Sequence, residues 1–131
     1  MLTTTLVSLF ERDLNRVIEE LNQYQTEPNI WRIENNISNS AGNLALHLIG
    51  NLNTYIGKEI GKTNYIRNRE LEFSQKDVPK QELIDQLKQT ILVLQNALNS
   101  ITDGDLQQEY PILVFSEKTS IEYFLVHLAT H

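Results

Sequence analysis

The stretch DVPKQELIDQLKQTILVLQNALNSI, residues 77–101, decides the fold class. Within it Leu83, Leu87, Ile91, Leu94, Leu98 and Ile101 recur at spacings of 4, 4, 3, 4 and 3, so all six fall on one side of an α-helix. Asp77 before Val78 and Pro79 is a helix-start signal with proline in the first turn, and Asp103, Gly104 and Asp105 break the pattern at the other end. So continuous an apolar stripe must be buried against other elements, and the flanking sequence supplies them.

Upstream, Leu6, Phe10, Leu14, Val17, Leu21 and Tyr24 repeat the same spacing, which predicts a first helix from Leu2 to Tyr24, ended by Pro28. A polar loop through Trp31, Asn35 and Asn36 leads to Ser38 or Ser40 as N-cap of a second helix. That helix carries Leu44, His47, Leu48, Leu52, Tyr55 and Ile56 along a stripe expected to face the core, and it weakens at Gly57 and Gly61. Residues 63–77, TNYIRNRELEFSQKD, read as a long loop with short extended pieces, and a loop of that length in a compact domain is often functional. Downstream, YPILVF at 110–115 is too brief for a helix and reads as a packed extended segment. Thr119 with Glu122 makes a capping box that opens a last helix through Tyr123, Phe124, His127, Leu128 and His131. With no internal repeat, low-complexity tract or linker, residues 1–131 read as a single all-α domain, an antiparallel four-helix bundle.

Composition narrows the function classes. The 131 residues are 40% hydrophobic and 21% charged, as in ordinary globular domains, and long enough to bury a core without disulfides or a structural metal. The formal charge is −6 and the eleven Lys and Arg are scattered, with only Lys58, Lys62, Arg67 and Arg69 loosely gathered, which argues against a nucleic-acid partner. No apolar run approaches the ~20 residues of a membrane span, and MLTTTLVSLFERDLN lacks the basic start of a signal peptide. No membrane partner is expected, and a cytoplasmic location is. With no cysteine, disulfides, thiolate zinc sites and a protein thiol nucleophile are all excluded. A metal must then be held by His, Asp, Glu, backbone or water, and any reactive thiol must arrive with a substrate.

Only three histidines occur, His47, His127 and His131, and each falls at a core-type position of a predicted helix. His127 and His131 form an HxxxH pair about 40° apart on one helical face, suited to gripping one ion, and a bundle could bring His47 to them. Three imidazoles without thiolate suit a divalent metal, zinc or nickel foremost, and leave coordination positions open for water or a small-molecule substrate. The plainer account makes His47 a hydrogen-bonded core residue and the other two solvated near a fraying terminus. Against it, burying an unpaired imidazole is unfavourable. Asn43 and Asn51, one turn either side of His47, could donate to its second nitrogen, or simply be solvated. Tyr55 and Tyr123 could reach the site as acid, base or clamp, or be packed aromatics with wet hydroxyls. Glu122 could reach it too, although the cap already explains it. Arg67, Arg69, Glu70 and Glu72 could hold a substrate carboxylate, or form a surface ion-pair cluster.

SNSAGNLALHLIGNL at 38–52, with His47, and TSIEYFLVHLATH at 119–131, with His127 and His131, resemble the DinB-like (YfiT-like) superfamily of bacterial four-helix-bundle metalloproteins, whose motif is one His on the second helix and HxxxH on the last. YIRNRELEFS at 65–74 also looks like a segment of one uncharacterised branch, and the similarity spans essentially the whole chain. The resemblance implies an up-down-down-up bundle with a long crossover, a divalent metal on His47, His127 and His131, and often a homodimer. Characterised relatives include S-transferases that use a low-molecular-weight thiol, so the expected function is metal-dependent transfer of such a thiol to a small electrophile. A metal-dependent hydrolase, or a non-catalytic, stress-related metal- or small-molecule-binding protein, would use the same fold. The sequence departs from the family in one respect. The last helix of the family runs well past the second HxxxH histidine, whereas this one is expected to be cut short at His131.

Overall fold

A computed structural model describes residues 2–33, 39–102, 104–111 and 119–130. Five α-helices lie among them: α1, Leu2–Asn22; α2, Ala41–Leu52; α3, Arg69–Ser74; α4, Lys80–Asn99; and α5, Ile121–Thr130. The described residues contain no strand, only an isolated bridge between Glu109 and Ser120. Nor is any described helix long and apolar enough to cross a membrane.

The two helices with the clearest periodicity pack against each other along most of their length. α1 buries Leu6, Phe10, Leu14, Ile18 and Leu21, and α4 buries Leu83, Ile84, Leu87, Thr90, Ile91, Leu94, Ala97 and Leu98. Leu83, Leu87 and Leu98 are fully enclosed, each contributing about 1.5–3 kcal/mol by removal from water. At the edge of this seam Gln95 donates to Glu11 at 2.6 Å. α4 begins at Lys80 with Pro79 as its N-cap, later than the expected start at Asp77 with proline in the first turn, and the carboxylate of Glu27 accepts from the Lys80 backbone N–H at 3.3 Å, meeting one of the orphan donors of its first turn.

Between α1 and α2 the chain is less polar than its sequence suggests. Glu27–Trp31 form a 3₁₀ turn that buries Ile30 and Trp31. A Cβ on Gly42 would sit 2.7 Å from the Trp31 ring, so glycine lets the indole lie on the α2 backbone. Ser40 is the N-cap, accepting from Asn43 N–H at 3.1 Å, while Ser38, the other candidate, lies outside the described residues.

The helical run that α2 opens ends between Gly57 and Gly61, as expected. α2 runs into a π-helical turn, Asn53–Lys58, in which Asn53 donates to Ile49 O at 2.8 Å and to Thr90 Oγ1 at 2.9 Å on α4. Gly57 and Gly61 serve close approach: added Cβ atoms would meet Val93 at 2.8 Å and Ala97 at 2.9 Å. Two further expectations are corrected. The segment read as a loop at 63–77 contains α3, capped by Asn68, whose side chain accepts from Leu71 N–H at 3.3 Å. The cap of α5 is Ser120, not Thr119, since Ser120 Oγ accepts from Tyr123 N–H at 3.1 Å; Glu122 accepts instead from Gln107 at 3.2 Å. Of YPILVF, Tyr110 is buried and its hydroxyl donates to Tyr55 O, whereas residues 112–115 lie outside the described residues.

Candidate functional site

α2 presents three faces, and their angular order explains the site. At about 100° per residue, Asn43 and Gly50 lie near one direction, Leu44, Leu48 and Asn51 about a quarter-turn on, and Ala45, Ile49 and Leu52 opposite the first. The third face enters the core. The stripe expected to be core holds at Leu52 and Ile56, which are buried, and is corrected at its start: Leu44 is 49% exposed, and His47 and Leu48 are half-buried. His47 falls between the first two faces.

The first face holds the crossover segment. Asn43, read as either a partner of His47 or a solvated residue, is almost wholly buried and donates through Nδ2 to the carbonyls of Glu72 at 3.0 Å and Gln75 at 2.9 Å. Its Oδ1 accepts from Ser40 Oγ at 2.6 Å and Lys76 Nζ at 2.8 Å, so every polar group of the amide is used. With the backbone of α3 fixed this way, the Glu72 side chain turns inward over Gly50, and only 6% of the residue is exposed.

The pairing expected at the surface among Arg67, Arg69, Glu70 and Glu72 is thus in part an interior one. Arg67 grips Glu72 with two parallel bonds, Nε to Oε2 at 2.7 Å and Nη2 to Oε1 at 2.9 Å. The hydrogen bond to Glu72 raises the Arg67 guanidinium above its ordinary range against the opposing effect of burial, and the Tyr55 hydroxyl adds a smaller contribution. Tyr65, pushed up chiefly by burial and then by the charge of Glu72, stands nearby.

Glu72 Oε1 also meets His47 Nδ1 at 3.0 Å. A carboxylate oxygen can only accept, so this contact is a hydrogen bond only with the ring hydrogen on Nδ1, an arrangement that leaves Nε2 its lone pair in the neutral ring. Arg67 Nη2 lies 3.4 Å from the same Nδ1, but a protonated nitrogen offers it no acceptor. Phe73 packs its ring 5.2 Å from the imidazole.

On its other side His47 lines a pocket of about 430 Å³ between α1 and α2. Val17, Leu21, Leu44, Leu48 and Leu128 give it apolar walls, and Glu20, Tyr24, His47 and Asn51 bring polar groups to it. Leu128 places α5 at this pocket, one residue from His127, which is half-buried with its ring 6.2 Å from Phe124. His131 lies outside the described residues, and among those described no three His, Cys, Asp or Glu gather closely enough to hold a metal. Tyr55 packs edge-on to Phe124 at 5.4 Å and reaches the Arg67 side of the cluster. Tyr123 is 60% exposed on α5.

In the donor set, His47 fits a borderline divalent ion best. A metal-ligating imidazole almost always gives its other N–H to a carboxylate or carbonyl, and the Glu72 contact is of that kind. Sequence reasoning named Glu72 only as part of a candidate carboxylate clamp or surface cluster, and missed both Gly50 and the contact of Glu72 with His47. The available signal was the spacing Asn43, His47, Gly50, one polar or open position per turn through an otherwise apolar helix.

No curated protein and no solved structure matches the chain significantly. The model of a family described as protein of unknown function, DUF1572, matches residues 4–131, and the chain belongs to that family.

Proposed function

We propose that this protein is a DinB-like, up-down-down-up helical bundle that binds a divalent ion through His47, His127 and His131 and transfers a low-molecular-weight thiol to a small electrophile. The observation that carries the reading is the 3.0 Å contact from His47 Nδ1 to the buried carboxylate of Glu72, which leaves Nε2 as a donor atom beside a pocket of substrate size. The apolar core along α1 and α4, with residues 59–79 as the crossover from α2 to α4, supports the bundle arrangement. Pairing of two copies through exposed apolar residues such as Val126 belongs to the same proposal.

A divalent ion in such a site supplies Lewis acidity that makes a thiol a stronger nucleophile near neutral pH. The chain's own contribution is orientation and desolvation. Glu72 holds the proton at His47 Nδ1, and the leucines of α1, α2 and α5 exclude water around an apolar substrate. Asn51 and Glu20 offer an amide and a carboxylate to its polar end. Because the chain has no cysteine, the attacking sulfur comes from the cosubstrate.

The test begins with metal analysis of untagged protein, wild type against His47→Ala. Metal present in wild type and lost in the variant is expected, and unchanged content in the variant refutes the ligand assignment. A screen of thiols against epoxides and chlorodinitrobenzene-type electrophiles follows. The largely apolar pocket favours one second reading, a non-catalytic small-molecule-binding protein, which metal without turnover across thiols and esters would select.

A further inference from the structure

Glu72 and Arg67 compete for the same atom. Both approach His47 Nδ1, Glu72 Oε1 at 3.0 Å as an acceptor and Arg67 Nη2 at 3.4 Å as a donor, and they impose opposite tautomers. Hydrogen bonding to Glu72 places the ring hydrogen on Nδ1 and leaves Nε2 free. Donation from Arg67 would make Nδ1 the acceptor, put the hydrogen on Nε2 and block that nitrogen as a ligand. Arg67 Nη2 commits one of its two hydrogens to Glu72 Oε1 at 2.9 Å and has the other left for Nδ1 at 3.4 Å. The shorter contact to a charged oxygen, 3.0 Å from Nδ1, prevails over that longer one.

We infer that Glu72 is the positioning residue that sets the tautomer of His47, and that α3 exists to deliver it. The inference rests on the proposed role of His47 as a ligand only for its functional meaning. The tautomer itself is a property of the protein without metal. Three features converge on it: Asn43 fixes the α3 backbone, Gly50 leaves room for the carboxylate, and Arg67 neutralises its charge in a site from which water is largely excluded. A carboxylate held this deeply needs such a partner, and a carboxylate serving the ion pair alone would not need to reach His47.

Removal of the carboxylate gives a sharp consequence. An amide at position 72 would not discriminate, because its oxygen at the Oε1 position accepts from both Arg67 Nη2 and His47 Nδ1–H. In Glu72→Ala the acceptor beside Nδ1 is gone, and Arg67 Nη2, 3.4 Å away, is the donor left to it. Nδ1 then becomes the acceptor, and the hydrogen moves to Nε2.

The experiment is long-range ¹H–¹⁵N correlation NMR of the histidine rings in ¹⁵N-labelled, metal-free protein with the imidazole neutral, His47 being assigned by its loss in His47→Ala. The Nδ1–H tautomer is expected in wild type and the Nε2–H tautomer in Glu72→Ala. An Nε2–H ring in wild type, or an unchanged tautomer in a folded Glu72→Ala, overturns the inference; if the variant does not fold, the wild-type spectrum decides alone. Zinc titration of the same proteins separates this from the metal reading. Where wild type binds zinc, Glu72→Ala should weaken it about 10- to 100-fold. A wild type that binds no zinc yet carries the Nδ1–H ring refutes the metal reading and upholds the assignment of Glu72.

Discussion

Gly50→Ala should cost far more than a glycine-to-alanine change in a helix normally does. On propensity alone it would stabilise α2 by about 1 kcal/mol. The added Cβ, however, would stand 1.8 Å from Glu72 Oε2 and 2.6 Å from its Cδ, with Arg67 Nε at 3.3 Å. The carboxylate must leave. A flexible side chain could swing aside cheaply, but this one cannot, because Asn43 ties its backbone to α2 and both oxygens are bonded. Displacing it separates a buried ion pair, a loss of about 3–5 kcal/mol. Set against the propensity gain, the net destabilisation is about 2–4 kcal/mol, a fall in Tm of about 6–16 °C for a chain of this size. Urea unfolding followed by circular dichroism measures it, and a double-mutant cycle with Glu72→Ala identifies its source. Once the carboxylate is gone, the same Gly50→Ala change should be neutral or stabilising. An equal cost in both backgrounds would refute the reasoning, as would a wild-type chain that gains stability from the alanine.

Asn43→Ala should destabilise by about 2–3 kcal/mol in urea titrations, because it strips the carbonyls of Glu72 and Gln75 of their donor, and amide hydrogen exchange should accelerate first in α3. Tyr110→Phe should cost about 1 kcal/mol at neutral pH by removing the donor to Tyr55 O. Burial, aided by the charges of Glu59 and Tyr55, raises the Tyr110 hydroxyl above the ordinary phenol value. A raised folded-state value means its stabilisation is complete below pH ~10, where the unfolded phenol also keeps its proton, and is lost as pH rises through the folded value. The gap in stability between wild type and Tyr110→Phe should therefore narrow above pH ~10 in pH-dependent unfolding, and a gap that widens would contradict this.

The helices α1 and α4 were legible because each has one apolar stripe and polar residues elsewhere, so periodicity alone identifies the buried side. Even there the detail shifted by one residue, Ile18 being buried where Val17 was expected and Val17 lining the pocket. α3 was illegible for the opposite reason. A six-residue helix has too few turns to show a period and little stability of its own, and it forms where Asn43 and the Arg67–Glu72 pair hold it against α2. The burial of Glu72 could not be read from charge either. Arg67 and Glu72 are five apart, a spacing that marks no helical pair, and their bidentate contact depends on the chain turning between them.

α2 shows why His47 stood out in the sequence while its surroundings were misread. From Ala41 to Leu52 it contains no charged residue and leucine or isoleucine at five of twelve positions, so hydrophobicity is spread around the helix and cannot say which side faces the core. Only the non-apolar positions carry directional information. Asn43 and Gly50 mark the face that receives α3, Asn51 marks the wet side of the pocket, and His47 stands between them. A histidine at that boundary can be held by a carboxylate through one nitrogen and meet a pocket with the rest of its ring. At a position turned fully into the core, the same residue would have had its second nitrogen buried without room for a ligand. The half-burial of His47, at 34% side-chain exposure, therefore meets what the proposed ligand role would require, and it distinguishes this imidazole from the core histidine that periodicity alone would have predicted.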